Sequence, residues 1–173
     1  MQENWNSCFD AVLQHEGGYV NDPRDPGGRT NLGVTQRAWE AYWNRSSSEE
    51  EMRKLTPNIV KPFYKSMYWD KIRGDQLPSG VDYAAYDLAV NSGVGRASKY
   101  LQEIAGVVAD GVIGPKSLEA IKACNSKELV DSLCDMRLDF LKRLPTFATF
   151  GKGWSRRVAE VKEKALSMTS EGE

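Results

Sequence analysis

Histidine is nearly absent: His15 is the only one in 173 residues. A Ser-His-Asp hydrolase or a histidine-rich metal site would have to be built on that residue alone. The cysteines, Cys8, Cys124 and Cys134, are odd in number and include no C-x-x-C pair. They suggest neither a disulfide framework nor a zinc site, so no metal or other cofactor is expected. Cys8 and Cys134 fall in apolar helical patterns and read as core packing. No apolar run approaches the ~20 residues of a membrane-spanning helix, so no transmembrane segment is expected. The opening Met1-Gln2-Glu3-Asn4-Trp5-Asn6 carries neither a basic region nor an apolar one, so no secretory signal is expected and synthesis in the cytoplasm is inferred. Net charge is −1, which gives no global attraction to nucleic acid. Internal repeats and flexible linkers are lacking as well.

What is present is a core-forming chain with helical periodicity. The apolar share is 40%, enough to build one domain of this length. Thr35 can cap a helix through Trp39, Tyr42 and Trp43. Ser48 with Glu51 resembles a capping box opening a short helix to Leu55. Thr56-Pro57 is a cap followed by proline at the first helical position, with Pro62 kinking the segment beyond. Val81 to Asn91 reads as a buried helix that Gly93 ends. Further helices carry Ala97 to Ile104 and Leu118 to Ile121, the second opened by Pro115. Ser126 can cap a long helix through Leu141. A loop is expected between Pro145 and Gly151-Lys152-Gly153, then a last helix from about Trp154 to Leu166. The fold class is therefore mainly α, with one small β-hairpin near residues 19–34.

That hairpin region carries the chemistry. Trp5, Cys8, Phe9, Val12 and Leu13 form the apolar stripe of an amphipathic helix. Glu16 lies eleven positions after Trp5, about three turns on at ~3.6 residues per turn, so it continues that stripe. Gly17-Gly18 then ends the helix. A glutamate held against apolar neighbours is desolvated, and its pKa should rise toward the range a general acid needs. The alternative is a helix-end glutamate half in solvent. Asp25 follows, then Thr30, among Pro23, Pro26, Gly27, Gly28 and Gly33. A hairpin folded over the helix end could bring Asp25 and Thr30 to Glu16. One carboxyl could then protonate a leaving oxygen, while the other stabilises an oxocarbenium-like charge or helps activate a water that Thr30 positions. Asp25 in Asp-Pro-Gly is also good turn chemistry on its own, and Asp22 is a rival carboxylate more suited to a turn.

The run from Glu16 to Thr35 resembles the signature of glycoside hydrolase family 108, N-acetylmuramidases found among phage endolysins and secretion-associated lysozymes. The order Glu16, Asp25, Thr30 also resembles the catalytic triad of phage-type lysozymes. Its last interval is one residue shorter than is usual there, which leaves Thr35 as the alternative threonine. The resemblance implies a lysozyme-like fold, Glu16 as catalytic acid and peptidoglycan as substrate. The bond cut would be the β-1,4 link between N-acetylmuramic acid and N-acetylglucosamine. It implies a monomer, made without a signal and acting on the cell wall in the periplasm, as a phage endolysin does.

Asp87-Leu88-Ala89-Val90-Asn91-Ser92-Gly93 and the Asp110-to-Pro115 turn resemble the predicted peptidoglycan-binding region that accompanies the family. Residues 1–95 are then the catalytic region and 96–173 a helical wall-binding region integral to the same domain. Tyr86 and Trp69, as sugar-stacking aromatics, and Asn91, as a partner for an acetamido group, are the substrate-binding candidates; core packing is the other reading of the two aromatics. Lys142, Arg143, Lys152, Arg156, Arg157, Lys162 and Lys164 make the last part basic, suited to weak contact with an anionic surface or to an ordinary solvated face. Two other functions remain open at this point. A lytic transglycosylase needs one acid and no second carboxylate. A non-catalytic wall-binding or secretion-accessory protein needs neither.

Overall fold

The computed structural model describes residues 1–24 and 27–171. The described chain is mainly helical, with one small antiparallel sheet, as expected. It divides into two compact units, residues 9–67 in one and residues 1–8 with 68–173 in the other.

The first helix, α1 (Trp5–Leu13), buries Cys8, Phe9 and Val12 along the predicted stripe. It ends earlier than its sequence pattern implies. His15 and Glu16 donate their N–H groups to Val12 and Leu13 in a turn, and Glu16 comes out half-buried beyond the helix. The apolar stripe stops at Leu13, and nothing apolar follows to hold a further helical turn.

In the unit of residues 9–67, the sheet pairs β1 (Thr30–Asn31) with β2 (Val34–Thr35). Val20 adds an isolated bridge to Thr30, its N–H donating to the Thr30 carbonyl at 2.7 Å. Asn31 and Val34 face inward. The Asn31 amide donates to the carbonyl of Met52 at 2.9 Å, which ties the hairpin to α3 (Glu49–Arg53). Thr35 caps α2 (Gln36–Trp43), Ser48 caps α3, and Thr56 caps α4 (Pro57–Tyr64), each accepting from an N–H three residues on. Pro62 withholds an N–H from the helical ladder, and past α4 the chain opens into a π-helical turn, Lys65–Trp69. Phe63 and Tyr64 fill the interior with Phe9 and Trp39.

In the other unit, α5 (Val81–Ser92) is buried on every side from Val81 to Ala89. A helix buried all round must be surrounded, and α6 (Val94–Ala105), α8 (Ser126–Lys142) and α9 (Phe147–Glu171) pack around it. Between α6 and α8, α7 (Pro115–Ala123) opens on its proline. The Asp110-to-Pro115 turn is organised by Gln102. Its amide donates to Asp110, the Val112 carbonyl and Ser117, while its oxygen accepts from the N–H of Gly111. Two boundaries differ from the sequence expectation. Asn125, not Ser126, caps α8, its side chain accepting from the Glu128 N–H. The expected loop between Pro145 and Gly151-Lys152-Gly153 is helical from Phe147 on, because α9 already starts there. Stacking of Phe150 on Trp154 at 5.8 Å offsets part of the glycine penalty. Gly151 leaves the room that the Phe147 ring occupies, since a Cβ there would approach the ring to 2.8 Å.

Candidate active site

Gly33 is the point on which the site turns. Leu32 and Gly33 form the hairpin turn, both left-handed at φ 52° and 76°, the pattern of a type I′ turn. Leucine is an unusual choice there. Its carbonyl accepts a 2.6 Å hydrogen bond from the Tyr64 hydroxyl, which holds the peptide in that orientation. The Glu16 carboxylate lies against the same turn. A Cβ built on Gly33 would stand 2.5 Å from the Tyr64 hydroxyl oxygen and 2.6 Å from Glu16 Oε2. The glycine therefore serves two ends, a positive φ and a close approach of the acid to the hairpin.

Thr30 lies on β1, three positions before Gly33. It is paired with Thr35 across the hairpin, on the face opposite Asn31 and Val34. The two threonines differ in their commitments. Thr35 accepts from the Ala38 N–H at 3.1 Å as the cap of α2, whereas the Thr30 hydroxyl has no hydrogen-bond partner among the described residues. Asp25 lies outside the described residues. Asp22 is a turn former: Oδ1 accepts from the Arg24 N–H at 2.9 Å, and the Arg24 guanidinium completes the pair. That bonding holds its carboxyl below the ordinary range.

The 19–20 segment is fastened to α3 from outside. The Tyr19 hydroxyl donates to Glu49 and the Arg53 guanidinium covers the Tyr19 ring at 4.2 Å. Arg53 also bonds Glu49 and holds that carboxyl below its usual range, with the Arg29 charge adding to the effect.

The second compact unit corrects two expectations. Trp69 and Tyr86 are fully buried. They pack edge-on at 5.6 Å, and each also meets Trp5. The Trp69 indole N–H donates inward to Asp75 at 2.8 Å. Rings enclosed in this way have no face for a sugar, so both are core. Asn91 is exposed. Its amide oxygen accepts from Arg137 at 3.2 Å, which turns the amide NH2 away from Arg137 as a donor. Arg137 is itself buried and bonds Asp87 at 2.6 Å, while Arg157 reaches the other Asp87 oxygen at 3.2 Å. Burial alone pushes the Asp87 carboxyl up; the two guanidinium charges and their hydrogen bonds outweigh that and hold it below the usual carboxylate range. Arg157 thus leaves the basic surface it was assigned to, while Lys142, Arg143, Lys152 and Arg156 remain exposed.

Tyr64 and Arg137 are the residues that sequence reasoning missed. Tyr64 gave no signal, since its partner lies 32 positions away. Arg137 did leave a trace: a cation on the apolar stripe of α8, matched by Asp87, one of two aspartates inside the buried α5. Among the described residues no three His, Cys, Asp or Glu side chains gather to hold a metal, and no helix is long and apolar enough to cross a membrane. Burial raises the thiol pKa values of Cys8 and Cys134, the latter to about 11, consistent with packing roles.

Comparison with known proteins decides the family. The model for Glycosyl hydrolase 108 matches residues 9–93, and that for a predicted peptidoglycan domain matches residues 96–159. The solved structure of Brucella abortus SagA is 43% identical, with 98% of this chain and 97% of that one covered and a TM-score of 0.88. The chain belongs to glycosyl hydrolase family 108. No curated protein matches. This family 108 chain is a glycoside hydrolase that acts on peptidoglycan, on a lysozyme-like, mainly α fold. The Asp87-to-Gly93 motif falls within the hydrolase match, not within the peptidoglycan-domain match where sequence reading put it.

Proposed function

We propose that this family 108 hydrolase is an N-acetylmuramidase. It cleaves the β-1,4 bond between N-acetylmuramic acid and N-acetylglucosamine, with Glu16 as the acid that protonates the leaving oxygen. The observation that carries the assignment is the seat of Glu16. Its carboxylate is pressed onto the hairpin turn at Gly33, beside the hydroxyl that fixes the turn. A merely solubilising glutamate has no need of a glycine cut to fit it. Asp25 supplies the second carboxylate and Thr30 places the water. The capping bond that Thr35 makes supports Thr30 over Thr35 in that role. The amide NH2 of Asn91 bonds an acetamido oxygen of the glycan, oriented by Arg137. Residues 96–159 hold the enzyme to the wall, and the chain acts as a monomer. The setting is host lysis by a phage: synthesis in the cytoplasm, release through a membrane lesion or secretion channel, and action in the periplasm.

Mass spectrometry of fragments released from purified Gram-negative sacculi tests the bond. Reducing N-acetylmuramic ends are expected. Reducing N-acetylglucosamine ends would assign the other glycosidic bond, and anhydro-muramic ends would assign a lytic transglycosylase.

A further inference from the structure

A concave site on the unit of residues 9–67 shares no lining residue with the Glu16–Gly33–Tyr64 cluster. It is a cavity of about 330 Å³ between α2, α3 and the start of α4, the low end of the ~300–1,000 Å³ typical of small-molecule sites and the scale of one substituted sugar ring. One wall is the indole of Trp43, which is 50% exposed at the end of α2. Trp39 and Tyr42 meet that ring at a steep angle, both at 72°, and the Arg45 guanidinium stands over it 5.7 Å from its centroid, so the three fix its orientation while half of the ring stays exposed. The floor is apolar, made of Leu55 and the exposed Ile59. The rim is polar and already neutralised. Arg45 pairs with Glu51 at 2.9 Å, and Lys54 pairs with Glu50 at 2.6 Å. Glu51 also accepts from the Trp39 indole at 2.6 Å, which locks the carboxylate in place.

Each feature narrows the occupant. A fixed, exposed indole favours a ligand with a flat apolar face. A rim whose cations are all paired gives little pull on an anionic peptide. Locked carboxylate and guanidinium groups suit hydroxyls and amides. An apolar floor suits a methyl group. The geometry points to a non-catalytic subsite for a neutral N-acetylated hexosamine, with the pyranose face on Trp43 and the acetamido methyl over Leu55 and Ile59. The site would hold a glycan strand beside the one being cut. The inference goes beyond the cleavage reaction and does not depend on the roles proposed for Glu16, Asp25 and Thr30.

Titration of the full ¹⁵N-labelled chain with di-N-acetylchitobiose tests it, followed at the indole N–H resonances. A disaccharide this short reads binding without requiring turnover. A saturable shift of the Trp43 resonance is expected, with cellobiose giving a much weaker one. Trp43→Ala should weaken binding at the neighbouring Arg45 and Glu51 resonances by at least about tenfold. Ile59→Asp, at an exposed position, should do the same if Trp43→Ala disturbs the fold. No shift at Trp43 at ~10 mM disaccharide, well above a ~1 mM dissociation constant, would overturn the proposal. So would an equal response to cellobiose, or a response only to a carboxylate-bearing dipeptide such as alanyl-D-glutamate.

Discussion

Replacing Gly33 by alanine adds one methyl group at the most crowded point of the site. The left-handed conformation, φ 76°, costs an L-residue about 1–2 kcal/mol. The new Cβ would stand 2.6 Å from Glu16 Oε2 and 2.5 Å from the Tyr64 hydroxyl. Restoring the 3.4 Å of ordinary contact needs the carboxylate to draw back by about 0.8 Å and the hydroxyl by about 0.9 Å, or the turn to shift away from both. The Tyr64 hydroxyl resists, being bonded at 2.6 Å to the carbonyl of Leu32 in the same turn. Relieving its clash shifts hydroxyl and turn together, and relieving the second clash displaces the acid relative to that turn. A misplacement of ~1 Å in a catalytic group costs on the order of a hundredfold in rate. At ~2–4 °C per kcal/mol for a chain of this size, Tm should fall by roughly 2–8 °C. Initial rates of sacculus turbidity loss, paired with thermal melts, read both effects. Gly95→Ala is the control, since nothing lies within 4 Å of its added Cβ and its φ is not positive; rate and Tm should stay near wild type. A folded Gly33→Ala enzyme with near wild-type rate would refute the reasoning, because Glu16 would then do its work without the close seat that Gly33 provides.

The threonines separate by opposite signatures. Thr35→Ala removes the α2 cap and should cost ~0.5–2 kcal/mol of stability with little loss of rate, whereas Thr30→Ala should lower the rate and leave Tm nearly unchanged; the reverse pattern would move the water-positioning role to Thr35. Asp87→Ala leaves Arg137 buried without its counter-charge, so about 3–5 kcal/mol of stability should be lost in thermal or denaturant melts. Asp87 also fixes an acid limit: its folded pKa lies below the unfolded value of ~3.9, so its contribution is complete above that value and drains away as pH falls through the folded pKa. Wild-type stability should therefore drop below about pH 4, and a folded Asp87→Asn variant should show a shallower drop in that window.

Local signals in the sequence were reliable where a short-range bond makes the structure, except at α8, where Asn125 and not Ser126 is the cap. Ser48, Thr35 and Thr56 cap the helices their spacing indicated, because a cap is decided within three or four residues. The burial of α5 was legible from its small and apolar residues, which continue on both sides of Asp82 and Asp87. Glu16 and the hairpin could be picked out by residue type and order. What set the carboxylate against Gly33, however, is a contact between a helix end and a turn that no periodicity encodes. Trp69 and Tyr86 stayed open between two readings because an aromatic suits a sugar platform and a core equally well, and only the three-ring packing with Trp5 decides between them. Arg157 looked like one member of a basic surface until the carboxylate of Asp87, 70 positions away, claimed it. The start of α9 was hidden for a related reason. Two glycines signalled a loop, while Phe147, Phe150 and Trp154 held the helix together across them.

The most direct test of the account is the rate at which purified Gram-negative sacculi lose turbidity with wild type and Glu16→Gln side by side. The substitution is nearly isosteric, so the variant should keep the wild-type fold and melt. The account predicts lysis by wild type and a loss of at least about a hundredfold in Glu16→Gln, the lower end of what a general acid contributes. A folded Glu16→Gln enzyme that clears sacculi at the wild-type rate would contradict it, and the seat at Gly33 would then be a structural feature of the hairpin and not the place where the glycosidic bond is broken.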